Sequence, residues 1–219
     1  LGTRAALARR MLVDDTRVVT QARSYLQIRD FGEIVNRVLP TVRSQSRLGG
    51  KASGLLIAGA ILRRAQEAGR DFGPVALPTS YHLPANGSFE FIEHNHLEEL
   101  LNLKYRPLDE VRREYPLVKR VFASGEFPRV THAGLCTLLE EVGEVPLVVR
   151  SSSLLEDRTG HAFSGKYKSL FLGNRGPLER RVRQLEAAIA EIYASVFGPD
   201  PIEYRREHDL LDYQIGRAS

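Results

Sequence analysis

The segment Pro146-Leu-Val-Val-Arg-Ser-Ser-Ser-Leu-Leu-Glu-Asp157, continuing through Ala162-Phe-Ser-Gly-Lys-Tyr167, constrains the fold more than any other stretch of the chain. Leu147-Val148-Val149 is a short, mostly β-branched run behind a proline, which is the pattern of a strand. Arg150 follows directly, so its guanidinium is expected at a strand end on rigid support. Ser151, Ser152 and Ser153 can donate to phosphate or cap the next turn, and Gly160 and Gly165 permit a loop that folds over a ligand. A second strand candidate at 168–172 is placed to pair with the first across this polar loop.

Most of the remaining chain reads as helix. Apolar spacing predicts helices over 3–29 and 31–43, with Asp30 as N-cap of the second, and over 51–68 after a Leu48-Gly-Gly50 turn. Residues 73–81, with two prolines around Val75-Ala-Leu77, suggest a short strand and a turn. Ser88 is a candidate N-cap for a helix over 89–103, and Pro107 and Pro128 suit the first turns of helices over 108–123 and 129–142. Pro177 opens a long helix ending near Phe197-Gly198, with Leu185, Ala188, Ile189, Ile192 and Val196 on one face, and a short helix follows over 201–208. The fold class expected is α+β, mostly helical with a small antiparallel sheet.

A chain of 219 residues, 42% hydrophobic and 26% charged, has the balance of a soluble globular protein with a real core. Its one cysteine, Cys136, excludes an internal disulfide and reads as buried filler on an apolar helix face, so the compartment is expected to be cytoplasmic. The longest apolar run, 55–62, falls far short of the roughly 18 to 20 residues of a membrane span. The chain opens on Leu1, which suggests a processed or excised piece.

The net charge of +4 conceals an asymmetry. Residues 1–70 hold 13 Lys/Arg against 5 Asp/Glu, while residues 71–219 hold 18 against 22. A nucleic-acid surface would interleave that charge with stacking aromatics, yet the first third has only Tyr25 and Phe31. Arginines on solvated helix faces, or a phosphate-binding basic surface, are the readings preferred to nucleic acid.

A second phosphate candidate is Leu48-Gly49-Gly50-Lys51-Ala-Ser-Gly54 at a helix start. Glycines let backbone approach a ligand, helix N-terminal N–H groups attract anions, and Lys51 adds a positive charge. It is not a Walker A loop, because Ala52 follows the lysine and Gln45 stands where that motif has glycine. A plain helix-opening turn is the alternative. Glu156-Asp157 are candidate Mg²⁺ ligands, though a structural loop role suits them as well. His161 lacks an evident partner.

Taken together, a Gly-Gly-Lys at a helix start and, about 100 residues later, an Arg-Ser-Ser-Ser strand end, a Glu-Asp pair and Phe163-Ser-Gly165 resemble the nucleotide-binding N-terminal region of phosphoenolpyruvate synthase and pyruvate, phosphate dikinase. That family reads broadly Gly-Gly-Lys-x-x-x-Leu, then Val-Arg-Ser-Ser-Ala, Glu-Asp and Phe-Ala-Gly. The likeness continues in Ala188–Phe197 and the pair Tyr204-Arg205, and covers roughly 47–213. It implies an ATP-grasp-like fold in which ATP gives its β-phosphate to a histidine on a separate domain, which passes it to pyruvate. It assigns Gly49, Gly50, Lys51, Arg150, Ser151, Ser152, Gly165 and Lys166 to ATP binding, with Arg150 also stabilising charge during transfer.

The basic, helical residues 1–46 are expected to form an N-terminal extension, and the resemblance implies a partial nucleotide-binding domain over 47–219. Its acidic Mg²⁺ ligands are expected after residue 213, leaving no metal ligands in this chain. The phosphohistidine and pyruvate domains would belong to a longer parent, an ATP-dependent phosphotransferase, and the isolated piece is expected to be inactive. Partners implied are ATP and those domains, without membrane or nucleic acid, and a homodimer is left open. Lys166 and Lys168 depart from the polar and acidic residues of relatives. The more basic loop would either tighten phosphate binding or serve another ligand, so a non-catalytic nucleotide-sensing module stays as an alternative.

Overall fold

The fold is that of a computed structural model, in which residues 2–43, 47–151 and 168–211 are described. Nine α-helices and a two-stranded sheet are built from these residues. They are α1 (Gly2–Met11), α2 (Thr16–Tyr25), α3 (Ile28–Val35), α4 (Gly50–Glu67), α5 (Gly87–His94), α6 (Leu108–Ala123), α7 (Arg129–Val142), β1 (Leu147–Arg150), β2 (Ser169–Leu172), α8 (Leu178–Ser195) and α9 (Pro199–Glu207). The α+β class expected from the sequence is the class observed.

Several boundaries differ for identifiable reasons. The helix expected over 3–29 breaks at Val13, because the Asp15 carboxylate accepts N–H bonds from Arg17 (2.8 Å) and Val18 (3.2 Å) and caps a new helix. Asp30 is not an N-cap. It lies inside α3's first turn, accepts the Gln27 N–H at 2.6 Å, and binds Arg63 of α4 at 2.7 Å. The helix expected over 31–43 stops at Val35: Arg37 N–H and Val38 N–H turn back to Ile34 O (2.9 Å) and Val35 O (3.2 Å), Val38 then pairs with His82, and Pro40 bars a return to helix beyond it.

Residues 73–81 form no strand: Pro74 and Pro78 lack N–H donors, and the segment lies across α4 with Leu77 seated on Gly59. The helix expected over 89–103 is α5 followed by a 3-10 segment, Glu98–Tyr105, with His96 between them in the left-handed region (φ 56°). Ser88 sits within α5 and donates to the Ala85 carbonyl rather than capping the helix.

Two hydrophobic cores result. The N-terminal core joins Ala8, Leu12, Val19, Ala22, Leu26, Phe31 and Ile34 of the first three helices and their turns with Leu48, Ala52, Ile57 and Ala60 at and within α4. It therefore spans residue 46. The second core is aromatic: Phe91 stacks on Phe122 (5.5 Å between centroids) and packs on Phe127 (4.8 Å) and Tyr193 (5.8 Å), surrounded by apolar residues of α6, α7, α8 and α9.

Extended residues 38–43 connect the two. Val38 packs on the N-terminal core and Leu39 on the aromatic core. Val38 pairs in parallel with His82 through Leu39 N–H to His82 O and His82 N–H to Arg37 O, both 2.8 Å. Pro40 then sits on α7 at Gly134, where an added Cβ would lie 2.5 Å from the proline ring. The buried Glu90 carboxylate accepts the N–H groups of Val42 (2.8 Å) and Arg43 (2.7 Å) and one from Asn86 (2.6 Å). These bonds satisfy strap backbone that has no ladder partner.

Candidate nucleotide site

The pairing of β1 with β2 is the antiparallel one expected, in the register Leu147↔Leu172, Val148↔Phe171, Val149↔Leu170 and Arg150↔Ser169. Alternation puts Leu147, Val149, Leu170 and Leu172 on the inner face toward α8, and Val148, Arg150, Ser169 and Phe171 on the outer face. Arg150 thus stands exposed at the last residue of β1, on a sheet backed by α8, with Ser151 directly beyond it.

A buried arginine supports this sheet from below. Arg181 of α8 donates to Asn174 Oδ1 (2.9 Å), Leu139 O (2.6 Å) and Gly143 O (2.5 Å), while Asn174 Nδ2 donates to Gly143 O and Val145 O, both 2.8 Å. The network ties the end of α7 and the entry to β1 onto the β2–α8 turn. Asn174 takes φ 51°, a left-handed conformation that asparagine tolerates better than most residues. Arg205, in the Tyr-Arg pair of the sequence, is similarly internal, donating to Pro201 O (3.0 Å) and Val196 O (2.7 Å) at the end of α8.

The Gly-Gly-Lys turn forms the N-terminus of α4. Gly49 is the N-cap at φ 90°, a region that only glycine enters freely, and its carbonyl accepts from Ser53 N–H (3.1 Å) and Ser53 Oγ (2.6 Å). Gly50 and Lys51 open the helix, where the macrodipole favours an anion. Gly49, Gly50 and Lys51 are thus on the N-terminal side of the molecule, whereas Arg150 and Ser151 are on the aromatic side. The 38–43 strap and residues 82–90 join the two groups' supports. Ser152, Gly165 and Lys166, with Ser153, Glu156, Asp157, Gly160 and His161, lie outside the described residues.

Lys168, read from sequence as part of a basic loop, binds Glu191 of α8 at 2.5 Å, and this bond raises its pKa above the usual lysine value. Its charge is shared with α8. Cys136 is half-buried rather than buried, with His132 Nε2 3.6 Å from its sulfur, and His132 Nδ1 lies 2.7 Å from Glu186. Burial, then Glu186 and Glu140, push the thiol's pKa up, the opposite of what a nucleophilic cysteine needs. Among the described residues no group of three or more His, Cys, Asp or Glu is arranged to hold a metal, and no helix is long and apolar enough to cross a membrane.

The model of the pyruvate phosphate dikinase AMP/ATP-binding domain matches residues 45–218. The chain belongs to that family. The match takes in both Gly49-Gly50-Lys51 and the Arg150 strand end, so the dikinase-family reading made from those motifs extends to the segment that contains them. No curated protein and no solved structure matches the chain.

What sequence reasoning missed is the support of the site: Glu90, Asn174, Arg181 and the contacts of Arg47. Asn174 had a legible signal, in a Gly-Asn-Arg-Gly turn. Glu90 and Arg181 sit in ordinary amphipathic helices and carry none.

Proposed function

We propose that this dikinase-family domain holds ATP for transfer of its β-phosphate to a histidine on a separate domain of a phosphoenolpyruvate synthase-like enzyme, which then charges pyruvate. The observation that carries the reading is the Gly49-Gly50-Lys51 turn at the N-terminus of α4, within a segment matched to an AMP/ATP-binding domain. Gly49 and Gly50 allow close backbone approach, the helix end favours phosphate, and Lys51 supplies a cation.

Arg150, with Ser151 and Ser152, takes the charge that develops on the transferring phosphoryl group, and Gly165 and Lys166 belong to the loop over the triphosphate. Phosphoryl transfer asks the protein mainly for positioning and positive charge, which fits a site built from these residues. Magnesium enters this proposal as the ATP complex, with phosphate oxygens among its ligands.

Titration with ATP·Mg²⁺ while following thermal unfolding tests the proposal, since a ligand of the folded state raises apparent stability with its concentration. The midpoint is expected to rise for the wild-type chain and to rise far less for Lys51→Ala and Arg150→Ala. Equal responses in all three chains would remove both residues from the site, and no response in the wild type would sink the nucleotide reading.

A further inference from the structure

The residues before 45 precede the family match, yet they grip the phosphate turn. Three consecutive residues leading into it bind the end of α1: Arg47 Nε donates to Arg9 O (2.7 Å), Leu48 N–H to Met11 O (3.0 Å) and Gly49 N–H to Leu12 O (3.4 Å). Carbonyls at a helix C-terminus have no partner within the helix and carry its negative dipole end, so a guanidinium and two amides are suited to them. Arg47 also reaches Asp14 Oδ2 at 3.2 Å, and its side chain is only 18% exposed. Leu48 is buried beside the residues of the N-terminal core.

We propose that the C-terminal end of α1, acting through Arg47 and Asp14, is a clamp that positions Gly49, Gly50 and Lys51 for phosphate. The proposal rests on the nucleotide reading above. Arg47, Leu48 and Gly49 are each fixed on the α1 side, and Gly49 is fixed on both sides, its N–H on Leu12 and its carbonyl on Ser53. Its φ of 90° is what lets one glycine face α1 and cap α4 together.

Ala85 N–H donates to the Arg47 carbonyl at 3.3 Å, so the clamp also touches the segment running from the aromatic core. Arg47 and Asp14 are positioning residues: their effect on ATP passes through the turn, because a phosphate site draws its strength from donors already in place. An arginine is specified because its fork serves the Arg9 carbonyl and the Asp14 carboxylate at once. A lysine has one point charge for both.

The test uses the whole chain and four variants: Asp14→Asn, Arg47→Lys, Lys51→Ala, and Arg47→Lys combined with Lys51→Ala. Affinity for ATP·Mg²⁺ is measured by calorimetry, and helix content by circular dichroism. Asp14 is half exposed, so Asp14→Asn keeps the fold within reach even if Arg47→Lys loosens it. Asp14→Asn and Arg47→Lys are each expected to weaken ATP binding about tenfold, the scale of one lost charge-assisted hydrogen bond, with helix content unchanged.

In the Lys51→Ala background, Arg47→Lys should cost no more than about threefold further, since coupled residues are non-additive. Wild-type affinity in both single variants, or a full tenfold further loss in the double variant, would overturn the clamp. If Lys51→Ala binds ATP as well as wild type, Lys51 leaves the site and the clamp is overturned while the nucleotide reading stands; if wild type does not bind ATP, the nucleotide reading fails and takes the clamp with it.

Discussion

The two cores differ in what fills them and in where their arginines sit. The aromatic core closes on itself with Phe91, Phe122, Phe127, Tyr193 and Phe197 in mutual contact. The N-terminal core has one buried phenylalanine, Phe31, among leucines, alanines and β-branched residues, and arginines brace its edges. Arg4 donates to Leu26 O, Arg47 to Arg9 O and Arg64 to Ser24 O, while Arg63 binds Asp30. The +8 balance of residues 1–70 thus has a structural use: several of its arginines end on carbonyls at helix C-termini, where the dipole favours cations. A small apolar core in short helices needs such polar cross-links. The aromatic core adds ring contacts to fewer but more deeply buried cross-links, Arg181 on the Leu139 and Gly143 carbonyls and Arg205 on Val196 O.

The strongest challenge to this contrast is Phe91→Ala, which should cost about 3–5 kcal/mol and loosen hydrogen exchange throughout α5 to α9. If exchange rises equally in α1 and α2, the cores form one cooperative unit. Arg181→Ala strips partners from Asn174 and from the Leu139 and Gly143 carbonyls, and should cost about 2–4 kcal/mol in denaturant unfolding, with exchange loosened at β1 and β2. Asp15→Ala should cost about 1 kcal/mol and fray α2 while leaving the aromatic core protected.

The smallest effect belongs to the Val38–His82 bridge between the two cores. Burial, and then Arg37, hold the His82 imidazole below its usual value near 6.5. The unfolded chain therefore takes up the proton first, and stability falls as pH drops below about 6.5, levelling only below the folded-state value. His82→Gln should flatten that slope between pH 7.5 and 5.5. A slope unchanged by this substitution would assign the pH dependence elsewhere.

The sheet was legible because its evidence is local: Leu147-Val148-Val149 behind a proline, then a second strand candidate at 168–172 that ends in Leu170-Phe171-Leu172. The helices opened by Pro107, Pro128 and Pro177 were legible for the same reason, each proline standing just before a helix. The break at Asp15 was harder to see, since periodicity alone carries a helix from α1 through α2 unless Asp14-Asp15 is read as a cap. Of the candidate site, the positions of Lys51 at the start of α4 and of Arg150 at the end of β1 were legible, each beside a local turn or strand signal. Its supports were not, because Glu90 to Val42 and Arg47 to Arg9 join residues 48 and 38 positions apart. No periodicity encodes such bonds.

The seat of Pro40 on Gly134 makes two distant positions a single unit of inheritance. Any side chain at 134 must displace the proline ring, and with it the strap that sets the distance between the two cores. Chains that descend from a common ancestor with this one should therefore keep the glycine wherever they keep the proline. They should lose both together where the strap takes another course.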